Sequence, residues 1–244
     1  MANVETTITG GIAHVKLNRP DKLNGLTLPM LGELVAAAHH VRTNKAVRVV
    51  VVSGEGRSFC AGLDFGSAMK KPSGIVSRFV PRPWRGTNTF QEAPWAFRRL
   101  PVPVIAAVSG HCLGGGLQIA LAADFRITHP EATWSVLEGR WGLIPDMSGS
   151  VTLRNLMGMD TAMELAMSGR ELEASEAKSL GLVSRVCADP LEEARAFART
   201  LITKSPDALA GIKQLYTQAW ARSDEAMLKE ETRLQRQILG RPNQ

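Results

Sequence analysis

Residues 103–146 read PVIAAVSGHCLGGGLQIALAADFRITHPEATWSVLEGRWGLIPD, and this stretch decides the fold class. An apolar, β-branched run over residues 102–108 is followed by three glycines at 114–116 and by an apolar stretch over 117–123. The pattern predicts a strand, a glycine turn and a short buried helix. Because glycine has no Cβ and the first amides of a helix lack partners, such a turn can aim backbone N–H groups at developing negative charge. Three glycines can also serve only to pack a helix tightly on a strand.

The spacing of the residues excludes three common motifs at this turn. It matches neither the G-x-G-x-x-G of a dinucleotide-binding turn nor the G-x-x-x-x-G-K-[ST] of a phosphate loop. A nucleophile elbow centred on Ser148 would need a glycine two residues to either side, where Asp146 and Ser150 stand. We therefore expect the turn to hold neither a pyrophosphate nor the oxyanion of a serine ester.

The bulk composition indicates an ordinary globular chain. With 244 residues, 44% of them hydrophobic, it can bury the core of one large domain, or of one large and one small domain. No stretch approaches the roughly 18 apolar residues of a membrane span, and residues 1–10 lack the features of a secretory signal or a transit peptide. The three cysteines, Cys60, Cys112 and Cys187, show no metal-ligand spacing and indicate free thiols in a reducing compartment. We expect a soluble cytoplasmic protein with no metal site.

The net charge of +6 is concentrated in one segment. Between residues 70 and 99, seven basic residues stand against the single acidic residue Glu92; the seven are Lys70, Lys71, Arg78, Arg82, Arg85, Arg98 and Arg99. Aromatic residues interleave with the arginines, but no nucleic-acid-binding motif is present. An acidic small molecule suits this local charge better, and we expect neither nucleic acid nor a membrane as a partner.

Hydrophobic periodicity predicts an α/β part followed by a helical part. Residues 5–18 read as a hairpin, a helix begins after Thr27, and Val49–Val52 form a strand that is covered on both faces. From residue 190 onward the pattern is helical only, with helices over 190–204, 207–221 and 224–239. Residues 66–101 hold five prolines, so we expect an irregular connection there that serves as a lid or binding loop.

Two carboxyl groups, Glu138 and Asp146, follow the glycine turn and stand eight residues apart. Paired carboxyls near an amide-rich turn can divide into base and acid if their environments separate their pKa values. Each has a structural alternative. Glu138 can form an ion pair with Arg140 or Arg154, and Asp146 can cap a helix that begins near Ser148.

Five segments, taken in order, carry a family resemblance: Asn18-Arg19-Pro20 with Leu23-Asn24, Phe59 to Asp64, Pro103 to Gly116, Ala123 to Ile127 and Gly142 to Pro145. From about residue 5 to residue 220 the chain resembles the crotonase superfamily, the enoyl-CoA hydratase/isomerase family. The resemblance implies an α/β fold in which ββα repeats form a spiral over residues 1–189 and a helical region over 190–244 serves trimerisation. It also implies CoA thioester ligands, homotrimers or hexamers made of two trimers, and no metal or redox cofactor, since coenzyme A is part of the substrate.

The resemblance also implies the roles of individual residues. The backbone N–H groups of Leu63 and Gly115 correspond to the oxyanion hole, which holds the thioester oxygen as it becomes an enolate oxygen. The basic segment between residues 70 and 99 can add phosphate contacts. The residues expected to contact CoA are Lys22, Leu23, Arg57, Ala61, Gly62, Leu63, Asp64, Phe65, Leu113, Gly114 and Gly115.

The chain departs from the hydratases of this family at one position. Those enzymes use two glutamates twenty residues apart, whereas here Gln118 takes the first position and Glu138 the second. An amide neither takes nor gives a proton at neutral pH, so Gln118 can only orient a water or a substrate group. Some dienoyl-CoA isomerases and acyl-CoA hydrolases of the family resemble this chain in having an aspartate eight residues after the glutamate, where Asp146 stands. Those isomerases have a further acid where this chain has Gln118.

We therefore expect an acyl-CoA enzyme that shifts the double bond of an enoyl-CoA, with Glu138 as its acid and base. Hydration with a water held by Gln118, thioester hydrolysis by Glu138 and Asp146, and acyl-CoA binding without turnover are the alternatives. Six aromatic side chains are candidates for lining the acyl pocket, with core packing as the alternative for each. They are Phe79, Trp84, Phe90, Trp95, Trp134 and Trp141.

Overall fold

The structure, a computed structural model, describes residues 2–69, 72–81 and 86–242. Its strands are β1 (Val4–Thr9), β2 (Ile12–Leu17), β3 (Val49–Gly54), β4 (Val104–Val108), β5 (His111–Leu113), β6 (Phe125–Thr128), β7 (Thr133–Ser135), β8 (Leu172–Glu173) and β9 (Arg185–Val186). Its α-helices are α1 (Leu28–Thr43), α2 (Phe65–Ala68), α3 (Pro72–Arg78), α4 (Thr89–Arg98), α5 (Gly115–Leu121), α6 (Gly149–Leu153), α7 (Met159–Ser168), α8 (Ala174–Ser179), α9 (Pro190–Ile202), α10 (Pro206–Gln218) and α11 (Asp224–Ile238). Short 3-10 helices span Pro20–Lys22 and Leu137–Trp141. None of the described helices is both long and apolar enough to cross a lipid bilayer.

A six-stranded sheet in the order β1-β2-β3-β4-β6-β9 forms the centre of the molecule. Only the β1–β2 hairpin is antiparallel, and the other pairs are parallel. Strand β3 is buried on both faces, as its continuous valine run predicts. Val50 packs into the main core with α1, whereas Val49 and Val51 pack against Ala194 and Ala198 of α9.

A second sheet, β5-β7-β8, is built from very short strands. Successive strands alternate between the two sheets: β4 and β6 lie in the large sheet, and β5 and β7, which follow them, lie in the small one. The segment after β3 joins this small sheet through a parallel bridge between Cys60 and Cys112. The loops that follow Cys60, β5 and β7 therefore meet at one place in the molecule.

The prediction of an irregular connection over residues 66–101 is wrong. Helix α4 packs against α1 and buries Phe90 and Phe97 in the core. A capping box begins this helix: Asn88 accepts the backbone N–H of Gln91, and the Gln91 side chain accepts the backbone N–H of Asn88. Pro94 lies inside the helix and is buried. The packed apolar face outweighs the one backbone hydrogen bond that proline removes.

The three helices predicted beyond residue 190 are confirmed as α9, α10 and α11. Helix α10 is anchored to the sheet region by the buried Lys213. Its Nζ lies 2.8 Å from Oδ2 of Asp124 and donates to the carbonyl oxygen of Val102 at 2.9 Å. Burial lowers the pKa of Lys213, and the charge of Asp124 opposes this change. The ion pair therefore fixes α10 against the chain between β4 and β6.

We predict that Lys213→Met destabilises the protein by up to about 3–5 kcal/mol, because Asp124, whose side chain is only 15% exposed, would lose the cation 2.8 Å away and keep only the charges of Arg98 and Arg126. Lys229→Met is the matched control, since the Lys229–Glu225 pair is about three-quarters exposed and such pairs contribute roughly 0–1 kcal/mol. Urea denaturation of both variants measures the difference. Equal losses in the two variants would contradict a structural role for the buried pair.

Candidate active site

The glycine turn at the start of α5 lies directly against the chain segment that follows β3. A Cβ on Gly116 would stand 2.6 Å from the Cβ and the carbonyl oxygen of Cys60, so only glycine fits there. Gly114 has φ +51°, a backbone conformation that favours glycine. The absence of side chains therefore allows the two backbone segments to touch.

Two backbone N–H groups at this contact, those of Leu63 and Gly115, have no hydrogen-bond partner among the described residues. Leu26 donates to Gly62 O at 2.8 Å and accepts from the Asp64 N–H at 2.9 Å, and this parallel bridge turns the N–H of Leu63 away from Leu26. Gly115 is the first residue of α5, where an N–H has no acceptor within the helix. A Cβ on Gly62 would lie 3.8 Å from the Gly115 nitrogen, so the two donors belong to adjacent segments.

The Glu138 carboxyl group lies beside this pair of donors. Glu138 is only 8% exposed, and a Cβ on Gly114 would lie 3.5 Å from its Oε1. Oε1 accepts a hydrogen bond from Nε2 of Gln118 at 2.6 Å, whereas Oε2 is buried and has no hydrogen-bond partner in the part of the chain that the structure describes. The structural alternative of an ion pair is not observed among the described residues, and Arg140 pairs with Glu171 instead. Glu138 thus presents one bound and one unbound oxygen at the turn.

Gln118 is completely buried on α5, and its side chain makes three hydrogen bonds. Its Oε1 accepts from the backbone N–H of Met147 at 2.7 Å and of Gly149 at 2.9 Å, and its Nε2 donates to Glu138. A Cβ on Gly149 would lie 2.7 Å from Oε1, so glycine permits this approach. The amide therefore links Glu138 to the loop that carries Asp146.

Both carboxyl groups have raised pKa values. Burial raises the pKa of Glu138; its own backbone N–H and the Gln118 amide counteract part of the rise, and the charge of Asp146 adds to it. Burial likewise raises the pKa of Asp146. Asp146 does not cap α6, whose N-cap is Ser148. Perturbed carboxyls in a shared site are typical of catalytic centres.

Comparison with known proteins identifies the family. The sequence model described as "Enoyl-CoA hydratase/isomerase" matches residues 7–241. The chain belongs to the enoyl-CoA hydratase/isomerase family. It is 33% identical over 210 residues to the peroxisomal Delta(3,5)-Delta(2,4)-dienoyl-CoA isomerase of Arabidopsis thaliana. The aligned region covers 83% of this chain and 76% of the relative.

Solved structures of this family share the fold. The enoyl-CoA hydratase of Bacillus anthracis superimposes with a TM-score of 0.89 at 27% identity, covering 99% of this chain and 92% of the other. A Thermobifida fusca protein crystallised in complex with CoA has a TM-score of 0.84 at 31% identity, covering 97% of this chain and 92% of the other. The predicted α/β, crotonase-like fold class is thereby confirmed.

The residues that the resemblance assigns to CoA lie on three neighbouring segments. Lys22 and Leu23 close the first 3-10 helix, and the Leu23 carbonyl accepts from the Ala61 N–H at 3.0 Å. Lys22 is exposed, and so is Arg57, which follows β3. Ala61 through Phe65 follow the Cys60 bridge, and Leu113 through Gly115 lead into α5.

Asp64 has a structural role at the start of α2. Its carboxylate accepts from the Ser67 N–H at 3.0 Å and lies 2.9 Å from the guanidinium of Arg19. The Ser67 N–H, followed by Arg19, holds the pKa of Asp64 below its usual range. The carboxylate is therefore occupied by the helix cap and the ion pair, and its negative charge is partly neutralised within the protein.

Trp141, an acyl-pocket candidate, lies three residues after Glu138 and is largely exposed. Its ring centroid is 5.4 Å from that of Phe65, so this aromatic pair joins α2 to the second 3-10 helix. The other described candidates pack elsewhere. Trp134 is fully buried and donates to Thr128, Phe90 packs on Phe79, and Trp95 lies beneath the Arg98 guanidinium. Trp84 lies outside the described residues.

The basic segment contributes few described side chains to this site. Arg78 donates to Gly74 of its own helix, and Arg99 pairs with Glu92. Lys70, Lys71, Arg82 and Arg85 lie outside the described residues. In the part of the chain that the structure describes, no group of three or more His, Cys, Asp or Glu side chains is arranged to bind a metal ion.

The three cysteines are free thiols, as predicted. Burial raises the pKa of Cys60 to about 12, so its thiol is not a nucleophile at neutral pH. Its Sγ donates to the carbonyl oxygen of Asn24 at 3.1 Å. The role of Cys60 in the site is therefore to pack beneath the glycine turn.

Sequence reasoning missed the two residues that hold Gln118, namely Met147 and Gly149. They contribute backbone N–H groups only, 29 and 31 residues along the chain from their acceptor. The positive φ of Ser148, +67°, turns the backbone between them. Gly149 was the one sequence signal for this contact, because a glycine directly after a helix cap can mark a place where another side chain comes close to the backbone.

Proposed function

We propose that this chain is an acyl-CoA isomerase that moves the double bond of an enoyl-CoA thioester. The observation that carries the proposal is that Oε2 of Glu138 lies beside the N–H groups of Leu63 and Gly115, and none of the three has a hydrogen-bond partner within residues 2–69, 72–81 and 86–242. Acyl-CoA as the ligand is supported by the Thermobifida fusca protein, crystallised with CoA and with acetoacetyl-CoA. The dienoyl-CoA isomerase of Arabidopsis thaliana supports isomerisation.

In the proposed reaction, the thioester oxygen accepts hydrogen bonds from the N–H groups of Leu63 and Gly115. Glu138 removes a proton from a carbon of the acyl chain, and the electron pair of the broken C–H bond passes into an enolate whose charge rests on that oxygen. The same carboxyl group returns the proton to a different carbon, and the double bond has then moved. One oxyanion donor is typically worth about 10²–10³-fold in rate. The reaction consumes no water and needs no metal or redox cofactor.

The state of Gln118 favours isomerisation over hydration. Its oxygen is saturated by two backbone N–H groups, and one of its two N–H hydrogens already bonds to Glu138. The amide cannot take up or release a proton, and it has one N–H hydrogen left that could bind a water molecule. Asp146, whose charge acts on Glu138, is the second carboxyl group in reach and can return a proton at a more distant carbon of a dienoyl chain.

Glu138→Gln is predicted to lower the rate of deuterium incorporation into the acyl chain by about 10²–10⁴-fold, the usual contribution of a positioned base. The measurement is mass spectrometry of 2-enoyl-, 3-enoyl- and dienoyl-CoA incubated in deuterium oxide. The rate of the unmodified enzyme should rise with pH as Glu138 loses its proton. Because burial raises this pKa, the rise should be centred above the ordinary value of about 4.3. Glu131→Gln, a change at an exposed glutamate, should leave the rate unchanged.

Three other products would contradict isomerisation. A gain of one water in the thioester would show hydration, with Gln118 holding the water. Release of free CoA would show hydrolysis by Glu138 and Asp146. Thermal stabilisation by acyl-CoA with every thioester unchanged would show a protein that binds acyl-CoA without turning it over.

We also propose that the chain forms homotrimers, single or paired into hexamers, with residues 190–244 as the trimerisation region and the ββα units of residues 1–189 arranged as a spiral. Exposed apolar side chains support an interface, since large apolar patches on a surface mark interaction sites. Those within residues 190–244 include Ile212, Trp220 and Leu228, each more than half exposed. Sedimentation equilibrium should give three or six chains per particle. A monomer at all concentrations would contradict the assembly.

The cytoplasmic location stays a prediction. The names of two relatives place them elsewhere: the enoyl-CoA hydratase domain-containing protein 2 of Bos taurus is mitochondrial, and the dienoyl-CoA isomerase of Arabidopsis thaliana is peroxisomal. Fractionation of cells that express the tagged chain tests the location directly.

A further inference from the structure

The Gln118 side chain binds Glu138 at one end and the backbone after Asp146 at the other, and we propose that it is a positioning residue. Its amide orients the Glu138 carboxyl group, so that one oxygen is held and the other is presented to the substrate, and it fixes the loop that carries Asp146. This inference rests on the proposed function, in which Glu138 carries the proton. It concerns a residue that cannot itself take part in proton transfer.

The orientation of the Gln118 amide is determined by its neighbours. Two backbone N–H groups, from Met147 and Gly149, point at one end of the amide, and only an oxygen can accept from both. The NH₂ group must therefore face Glu138, at 2.6 Å from Oε1. A rotated amide would place N–H against N–H at two buried positions, so this arrangement is the stable one.

The amide makes the two oxygens of Glu138 unequal. Oε1 is occupied by the N–H of Gln118, whereas Oε2 has no partner among the described side chains and backbone groups and is left to meet the substrate. A hydrogen bond donated to a carboxylate favours its ionised form, which counteracts part of the effect of burial. Asp146 has no side-chain donor among the described residues, and burial raises its pKa. The two carboxyl groups therefore differ in their donors, since the Gln118 amide donates a hydrogen bond to Glu138 and not to Asp146.

The same amide holds the loop against the glycine turn. A Cβ on Gly115 would lie 2.9 Å from Sδ of Met147, so the residue whose N–H binds Gln118 also packs against an oxyanion donor. Asp146 directly precedes Met147 in the chain. One side chain thus connects the base, the second carboxyl group and the backbone of Gly115.

A glutamate at position 118 would replace the amide that donates to Glu138 with a second carboxyl group. One of its oxygens would still accept from Met147 and Gly149, but the other would stand where Nε2 now lies, 2.6 Å from Oε1 of Glu138. Two carboxylates at such a distance cannot both be ionised at neutral pH, and they share a proton. Asp146 is the other titratable group whose charge acts on Glu138. Gln118→Glu should therefore protonate the base without removing any backbone hydrogen bond.

The test combines a direct titration with kinetics. Carbon-13 NMR of protein labelled at the glutamate carboxyl reports the Glu138 signal, which is assigned by its loss in Glu138→Gln. In Gln118→Glu we expect the Glu138 midpoint to rise by at least about one pH unit. At pH values below the original midpoint, the kcat for deuterium incorporation should then fall at least about tenfold. It should recover as the pH is raised past the new midpoint, while KM stays within about twofold of its original value. Gln218→Glu, the same change at an exposed helix position, should alter neither the midpoint nor kcat.

Gln118→Met separates orientation from charge. Methionine fills a similar volume without the amide, so kcat should fall at every pH and high pH should not restore it. An unchanged Glu138 midpoint and an unchanged kcat profile in Gln118→Glu would overturn the positioning role, and this variant decides the question if the methionine variant fails to fold.

The two proposals fail in different ways. If Glu138→Gln keeps full activity while the Glu138 midpoint still moves in Gln118→Glu, the proposed base is wrong and the amide still controls the carboxyl. If Glu138→Gln is inactive and the midpoint does not move, Glu138 is the base and the positioning role is wrong.

Discussion

The site depends on one close backbone contact, between the glycine turn and the segment after β3. Cys60 and Leu113 are joined by a backbone hydrogen bond of 3.0 Å, and Gly116 leaves no room for a Cβ above Cys60. The contact sets the position of the first turn of α5 relative to Leu63. Because helical residues turn by a fixed angle, it also determines that Gln118, two residues after Gly116, points into the interior. This one contact therefore positions both the N–H donors of Leu63 and Gly115 and the buried pair of Gln118 and Glu138.

Burying Glu138 and Gln118 is costly unless their hydrogen bonds are made, because interior polar groups have lost their water. Gln118 satisfies its oxygen twice and its nitrogen once, which explains how a fully buried amide can sit in an apolar helix. The buried side-chain atoms left without a partner among the described residues are Oε2 of Glu138 and Oγ of Ser148. Both lie in this site. Unsatisfied polar atoms in a native structure call for an explanation, and a reacting carboxylate provides one for Glu138.

Local patterns predicted the parts of the fold that depend on local interactions. Strand β4, the glycine turn and α5 follow from hydrophobic period and glycine placement, and α1 begins where Thr27 accepts the Met30 N–H. The strands β5 and β7, of three residues each, are too short to show a period, so their existence depends on pairing across the chain. Helix α4 was not predicted, because Pro94 within it and four further prolines between residues 72 and 101 outweighed the capping box at Asn88.

The candidate residues of the site could be named from sequence, but their relations could not. Glu138 was identified by its type and its distance from Asp146 in the chain, and Gln118 by the family resemblance, whereas the hydrogen bond between them depends on where β7 ends relative to α5. Met147 and Gly149 act through backbone N–H groups, which every residue except proline carries, so no side-chain pattern marks them. The raised pKa of Asp146 is a consequence of burial and has no sequence signal.

A crystal structure of the chain with acetoacetyl-CoA bound would test the central claim most directly. The account predicts a thioester oxygen about 2.7–3.1 Å from the backbone nitrogens of both Leu63 and Gly115. It also predicts that Oε2 of Glu138, with Oε1 still bound to Gln118, is the carboxyl oxygen nearest to the carbon between the two carbonyl groups. A thioester oxygen bound elsewhere, or Asp146 nearer than Glu138 to that carbon, would contradict the account.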